Sequence, residues 1–167
     1  MPQEFLPAKS DFYWDEEKEQ YVGTSFPEKS ICWSYSTVIC YKTILFDLVA
    51  SKKFKKEYKD NAMKFLLNGN IYVVFEDGVI TGYVKKLCRK MKNQNIGLYY
   101  LLPFLLSYDG DTKIKNEFIP TTIKGIQIAL NNNKVDEYYV SEVREYLETL
   151  LNTLKFCEKN QLDLAIC

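Results

Sequence analysis

The chain of 167 residues contains no histidine. Without an imidazole there is no Cys-His pair to activate a thiol near neutral pH. Also absent are G-x-S-x-G, the P-loop and G-x-G-x-x-G, the motifs that mark a nucleophile elbow or a phosphate cradle. Glycine and proline are scarce, at seven and five, while 47% of residues are apolar and 15% aromatic. Disorder is therefore excluded for most of the chain. The five cysteines, at positions 32, 40, 88, 157 and 167, form an odd, scattered set with no C-x-x-C pair. That argues against a disulfide scaffold and against a zinc site, so no metal and no cofactor are expected. The first twenty residues carry an early acid and neither a basic nor an apolar leader region. Reduced thiols and no secretory signal make the cytoplasm the expected location.

What is present centres on residues 31–50, ICWSYSTVICYKTILFDLVA, whose only formal charges are Lys42 and Asp47. Ser36, Cys40, Thr43 and Asp47 fall on one narrow helical line, and Tyr35, Val38, Ile39, Leu45, Phe46, Leu48 and Val49 cover most of the rest. A helix apolar around most of its circumference needs neighbours on several sides. The stretch reads as the central, buried helix. Six polar residues, Ser34, Ser36, Thr37, Lys42, Thr43 and Asp47, interrupt it, which is inconsistent with a membrane span.

Within this stretch, Ser30-Ile31-Cys32-Trp33-Ser34-Tyr35-Ser36 resembles the segment around the nucleophile of papain-like cysteine proteases, where a Cys-Trp-small-aromatic-Ser run opens a long buried helix. The resemblance spans about five residues, and it implies a thiol placed at a helix N-terminus, where the thiolate is favoured. The family's general-base histidine has no counterpart here, and Phe26, Pro27, Glu28 and Lys29 stand where its upstream Gln-Gly pair would be. The protease activity is therefore not carried over. Cys32 and Trp33 are expected to anchor the start of the core helix.

A single domain over residues 1–167 fits this length. Residues 1–30 combine Pro2, Pro7, Gly23 and Pro27 with six aromatics, which predicts an irregular or briefly extended segment that lays its rings over the body. Residues 51–69 repeat Phe54, Tyr58, Ala62, Phe65 and Leu66 at helical spacing. Residues 71–84, IYVVFEDGVITGYV, predict a β-hairpin turning at Asp77-Gly78, with Glu76 facing Val79. A short basic helix over 85–92 follows, then an apolar helix over 97–108 interrupted by Pro103. Asp109-Gly110-Asp111 opens like a calcium loop, but Lys113 and Pro120 occupy ligand positions, so a turn is expected. Helices are expected over 120–131 and 136–158, and the tail LDLAIC as a closing strand or a frayed end. The class is α+β and helix-rich, with five to six helices around the central helix and one hairpin.

The charges sum to zero but are segregated. Residues 1–30 hold seven acids against three bases, 31–100 five against twelve, and 101–167 ten against seven. Two candidate surfaces result. One is acidic and bears a tyrosine: Tyr138, Glu142, Glu145 and Glu148 on the last helix, with Asp15, Glu16 and Glu17 near the N-terminus. The other is basic: Lys52, Lys53, Lys55, Lys56 and Lys59, with Lys85, Lys86, Arg89 and Lys90. The acidic surface points to a non-enzymatic inhibitor in one-to-one complex with a protein, such as an immunity protein covering the basic active site of a bacterial toxin, for example a nuclease. The basic surface points to nucleic acid or another anionic surface. A third reading is a small enzyme using thiol or carboxylate chemistry, with Asp47 as an acid placed in the core.

Overall fold

Strand β1 (Pro2–Ala8) lies inside a four-stranded antiparallel sheet, between β4 (Ile31–Ser34) and β6 (Asp163–Ile166), with β5 (Thr112–Ile114) beyond β6. The computed structural model describes residues 2–53, 56, 89, 92–93, 96–105, 112–132, 135 and 142–167. Alternation along β1 buries both faces: Phe5 joins the main core and Leu6 and Ala8 a smaller one. Two prolines in an inner strand need explaining, because proline removes a ladder donor. Pro2 is the first strand residue. At Pro7 the missing N–H points away from β6, since Glu4 donates to and accepts from Cys167 on that side, and pairing with β4 has already ended at Phe5. Pro7 uses its carbonyl there, accepting from Phe26 N at 2.9 Å.

Of the two forms that composition allows for residues 1–30, irregular or briefly extended, the second is found. These residues supply β1 and a separate hairpin, β2 (Tyr13–Asp15) paired with β3 (Gln20–Val22). Their rings do lie over the body: Phe12, with Tyr21 against it, packs on Leu6, Ala8 and Ala165.

Helix α1 (Tyr35–Val49) begins after Ser34, whose hydroxyl accepts from Thr37 N at 3.3 Å. This corrects the expected start at residue 31. In residues 31–34 burial alternates, with Ile31 and Trp33 inside and Cys32 and Ser34 outside. That is strand periodicity, and only from residue 35 does the helical period take over. The polar line holds, with Ser36, Cys40 and Asp47 exposed. Asp47 is thus not a core acid. The buried charged residue of α1 is Lys42, 5% exposed, its Nζ 5.8 Å from the centre of the Phe104 ring.

Three further helices complete the core: α2 (Ile96–Leu105), α3 (Ile119–Leu130) and α4 (Val143–Asn160). The described residues thus hold four helices rather than five to six. Pro103 sits within the last turns of α2, and Pro120 opens α3, where its absent N–H costs nothing. α2 packs on α3, α3 on α4, and α1 on both α2 and α3. α2 and α3 approach closely at Gly125, where a Cβ would stand 2.6 Å from Leu101 Cγ. α4 buries Val143, Leu147, Leu150, Leu154 and Cys157 as the spacing predicts, but starts at Val143 rather than at residue 136. It ends at Gln161 in the left-handed conformation, φ 53°, with Leu162 N returning to Cys157 O at 2.8 Å. That Schellman closure turns the chain into β6, so the tail is a buried strand rather than a frayed end.

The result is three layers: helices, sheet, hairpin. The expected hairpin over 71–84 and the greater part of the helices over 51–69 and 85–92 lie outside the described residues, as do 106–111 and 136–141.

Candidate functional site

The β2–β3 hairpin is held at both ends by side chain to backbone contacts. At its root, Asp11 accepts from Thr24 N at 3.1 Å and from Thr24 Oγ1 at 3.2 Å, and Lys9 N donates to Thr24 O at 3.0 Å. Gly23 completes this join with φ +101°, and a Cβ there would lie 2.4 Å from Asp11 O. Only glycine fits without a shift. At the turn, Asp15 Oδ1 accepts from Glu17 N at 3.0 Å and Lys18 N at 3.1 Å, while Lys18 Nζ stands 3.9 Å from Oδ2. Asp15 is therefore a turn-former. Glu16, Glu17 and Glu19 stand exposed around it.

Period-two alternation puts Phe12, Trp14 and their cross-strand neighbour Tyr21 on the underside of the hairpin. Phe12 and Tyr21 stack at 5.1 Å, and Trp14 meets Tyr21 edge-on at 5.0 Å with the planes 72° apart. Tyr13 is 54% exposed.

Two depressions flank this hairpin. The first, about 220 Å³, is lined by Phe12, Tyr13, Trp14, Glu16, Tyr21 and Lys113, with Ala165, Ile166 and Cys167 of the β6 end beneath. The second, about 590 Å³, is polar and lined by Ser10, Tyr13, Lys113, Lys115, Asn116, Glu117 and Asp163. Tyr13 and Lys113 line both. Asp163 is buried, and its Oδ1 accepts from Asn116 N at 2.8 Å, tying β6 to the turn that precedes α3.

The other half of the expected acidic surface lies on a different element. Glu142, Glu145 and Glu148 occur at three-residue steps along the start of α4, all exposed, while Tyr138 lies outside the described residues. Arg144 stands 4.0 Å from Glu148 and donates to Leu130 O at 3.4 Å, so this face is less acidic than its glutamates suggest. Below it Tyr41, Trp33 and Tyr146 form an aromatic cluster with ring centres 4.7 to 5.7 Å apart. Burial, and then the hydrogen bond with Tyr146, raises the pKa of the Tyr41 hydroxyl.

On the basic surface, Lys52, Lys53, Lys56 and Arg89 have helical backbone and are exposed, whereas Lys55, Lys59, Lys85, Lys86 and Lys90 lie outside the described residues. Sequence alone suggests no aromatic interleaving near these cations. Two other lysines lie over rings, with Lys92 Nζ 6.0 Å from the Tyr99 ring and Lys124 Nζ 6.0 Å from the Tyr100 ring.

The thiols do not reproduce the protease-like arrangement. Cys32 is exposed on strand β4, two residues before the helix cap, with Glu4 opposite it. Cys157 is buried, and desolvation, followed by the nearby Asp163, pushes its thiol up to about 12. Among the described residues no group of histidine, cysteine, aspartate and glutamate is placed to hold a metal ion, and no helix is long and apolar enough to cross a membrane.

Tyr13, Trp14, Tyr21, Lys113 and Asp163 were not legible as site residues. The alternation of Phe12 and Trp14 before an acidic turn and of Gln20, Tyr21 and Val22 after it was the available hairpin signal; Lys113 and Asp163 come from strands whose pairing no local pattern announces. No family model, curated protein or solved structure matches the chain.

Proposed function

We propose that the chain is a non-enzymatic protein-binding inhibitor that contacts its partner through the β2–β3 hairpin. The observation that carries this reading is the hairpin's make-up: an exposed tyrosine beside an acidic turn, on a root pinned by Asp11 and Gly23. Tyrosine supplies contact area at low entropic cost, and carboxylates around it steer a basic partner and fix its orientation. Preorganisation by the root contacts lowers the ordering cost on binding. Glu142, Glu145 and Glu148 extend the same sign of charge onto α4. In its specific form the proposal is an immunity protein that neutralises a bacterial toxin, a nuclease for example, by covering its basic active site.

Affinity capture of the tagged chain from its native lysate, washed at low and then high salt, tests this. The expected outcome is one stoichiometric, salt-released protein that is toxic by itself. Reversing Glu16 and Glu17 to lysine, with the turn-forming Asp15 kept, should weaken that complex by about tenfold or more, chiefly through slower association. A bait that retains no protein overturns the reading.

A second reading, binding to nucleic acid or another anionic surface, is favoured by the lysine–tyrosine pairs Lys92–Tyr99 and Lys124–Tyr100 near helix α2, because bases stack on rings while cations meet phosphates. Nucleic acid on the bait, lost when Lys52, Lys53 and Lys56 are reversed to glutamate, would select it.

A further inference from the structure

We infer that the smaller depression under the hairpin is a receptor for one arginine side chain of the partner. The inference rests on the protein-binding reading and deepens it by naming what the hairpin grips. At about 220 Å³ the cavity has room for a single long side chain and is smaller than the roughly 300 Å³ of the smallest drug-sized pockets. Its walls are aromatic. Trp14 and Tyr21 both line it and meet at 72°, with one face of Tyr21 taken by Phe12; a corner of two rings is a wall that attracts a cation through ring quadrupoles.

A guanidinium suits this corner better than an ammonium, because it is planar, stacks on a ring and still offers a fork of donors to a carboxylate. Glu16 lines the same cavity and supplies that carboxylate. The hairpin's own charge has the right sign. Between Ser10 and Thr24 the chain carries Asp11, Asp15, Glu16, Glu17 and Glu19 against Lys18 alone. Below, Ala165, Ile166 and Cys167 line the cavity, a lining suited to the three methylenes of an arginine stem. One group opposes the guest. Lys113 lines the rim from β5, and its ammonium disfavours a second cation. Lys113 thus sets a threshold that a guanidinium, engaging rings and carboxylate together, overcomes.

The test uses the intact chain labelled with ¹⁵N and three capped tripeptides, Gly-X-Gly, with X arginine, citrulline or norleucine, and follows the Trp14 indole N–H. The arginine peptide is expected to shift that resonance saturably and to bind about tenfold more tightly than the citrulline peptide, which keeps the shape and loses the charge. Glu16→Gln should weaken arginine several-fold and Lys113→Gln strengthen it, with the remaining spectrum unchanged. Citrulline or norleucine binding as tightly as arginine overturns the inference, and so does a Trp14 resonance that none of the peptides moves. Failure here is separable from failure of the inhibitor reading. A bait that captures its partner through the hairpin while Trp14 ignores arginine removes only this pocket, whereas arginine binding without any captured protein leaves the pocket and removes the inhibitor.

Discussion

Gly125 shows how much a single atom can matter in this core. The space its missing Cβ leaves is taken by Leu101, whose Cγ would stand 2.6 Å and whose backbone N 3.2 Å away, so α2 and α3 must part to admit a methyl group. Gly125→Ala is expected to destabilise the protein by about 1 to 3 kcal/mol from overpacking, less about 1 kcal/mol regained in helix propensity. A urea midpoint that falls at unchanged slope would check it. Cys157 gives a pH-dependent case. Its folded pKa is raised from 9.0 to about 12, so the neutral thiol is the form the fold tolerates. The unfolded chain loses that proton first. Stability is intact below pH 9 and falls as pH rises from 9 towards 12, by at most about 1.4 kcal/mol per pH unit for this one proton. Cys157→Ala should lower stability at neutral pH through a small cavity and flatten the alkaline fall, as denaturation series at pH 8 and pH 10.5 would reveal.

Among the elements, α3 and α4 were legible because their burial is one-sided: Ile123 and Ile126, then Leu147, Leu150, Leu154 and Cys157, recur at helical spacing against polar neighbours. The β4–α1 junction was not. Ile31 to Leu48 is apolar enough to suit either period, and the helix start rests on Ser34 and Thr37, a cap signal that an apolar count overlooks. The end of α4 was hidden for the opposite reason, since Gln161 occupies a left-handed position where glycine is usual. Gln161→Gly should therefore stabilise the chain by about 0.5 to 1 kcal/mol, the relief of the left-handed strain exceeding the added freedom of the unfolded state. A higher thermal midpoint with unchanged far-ultraviolet circular dichroism is the expected observation.

At the scale of the whole molecule, the sheet order β4-β1-β6-β5 is what local patterns could not convey. The mixed α+β class follows from composition and periodicity, but which strands meet depends on contacts that span the chain: Leu6 pairs with Ala165, and Phe5 with Ile166. The candidate site inherits this, because Trp14 and Tyr21 find Lys113 and Ala165 only once β5 and β6 are in place. Acidic residues on the hairpin and on α4 could be found by counting; the cavity could not. The pairing of β1 with β6 also sets residues 4 and 167 side by side. Glu4 and Cys167 exchange both backbone hydrogen bonds, at 3.0 and 2.9 Å, so a short flexible linker from Cys167 to the residue ahead of Pro2 would bridge the two strands and keep the pairing of Pro2 and Gln3 with β4. A circular permutant built that way, and reopened between Lys18 and Glu19 in the hairpin turn, should fold with the same sheet while splitting the acidic turn in two. It would separate what the hairpin does as a continuous loop from what its side chains do.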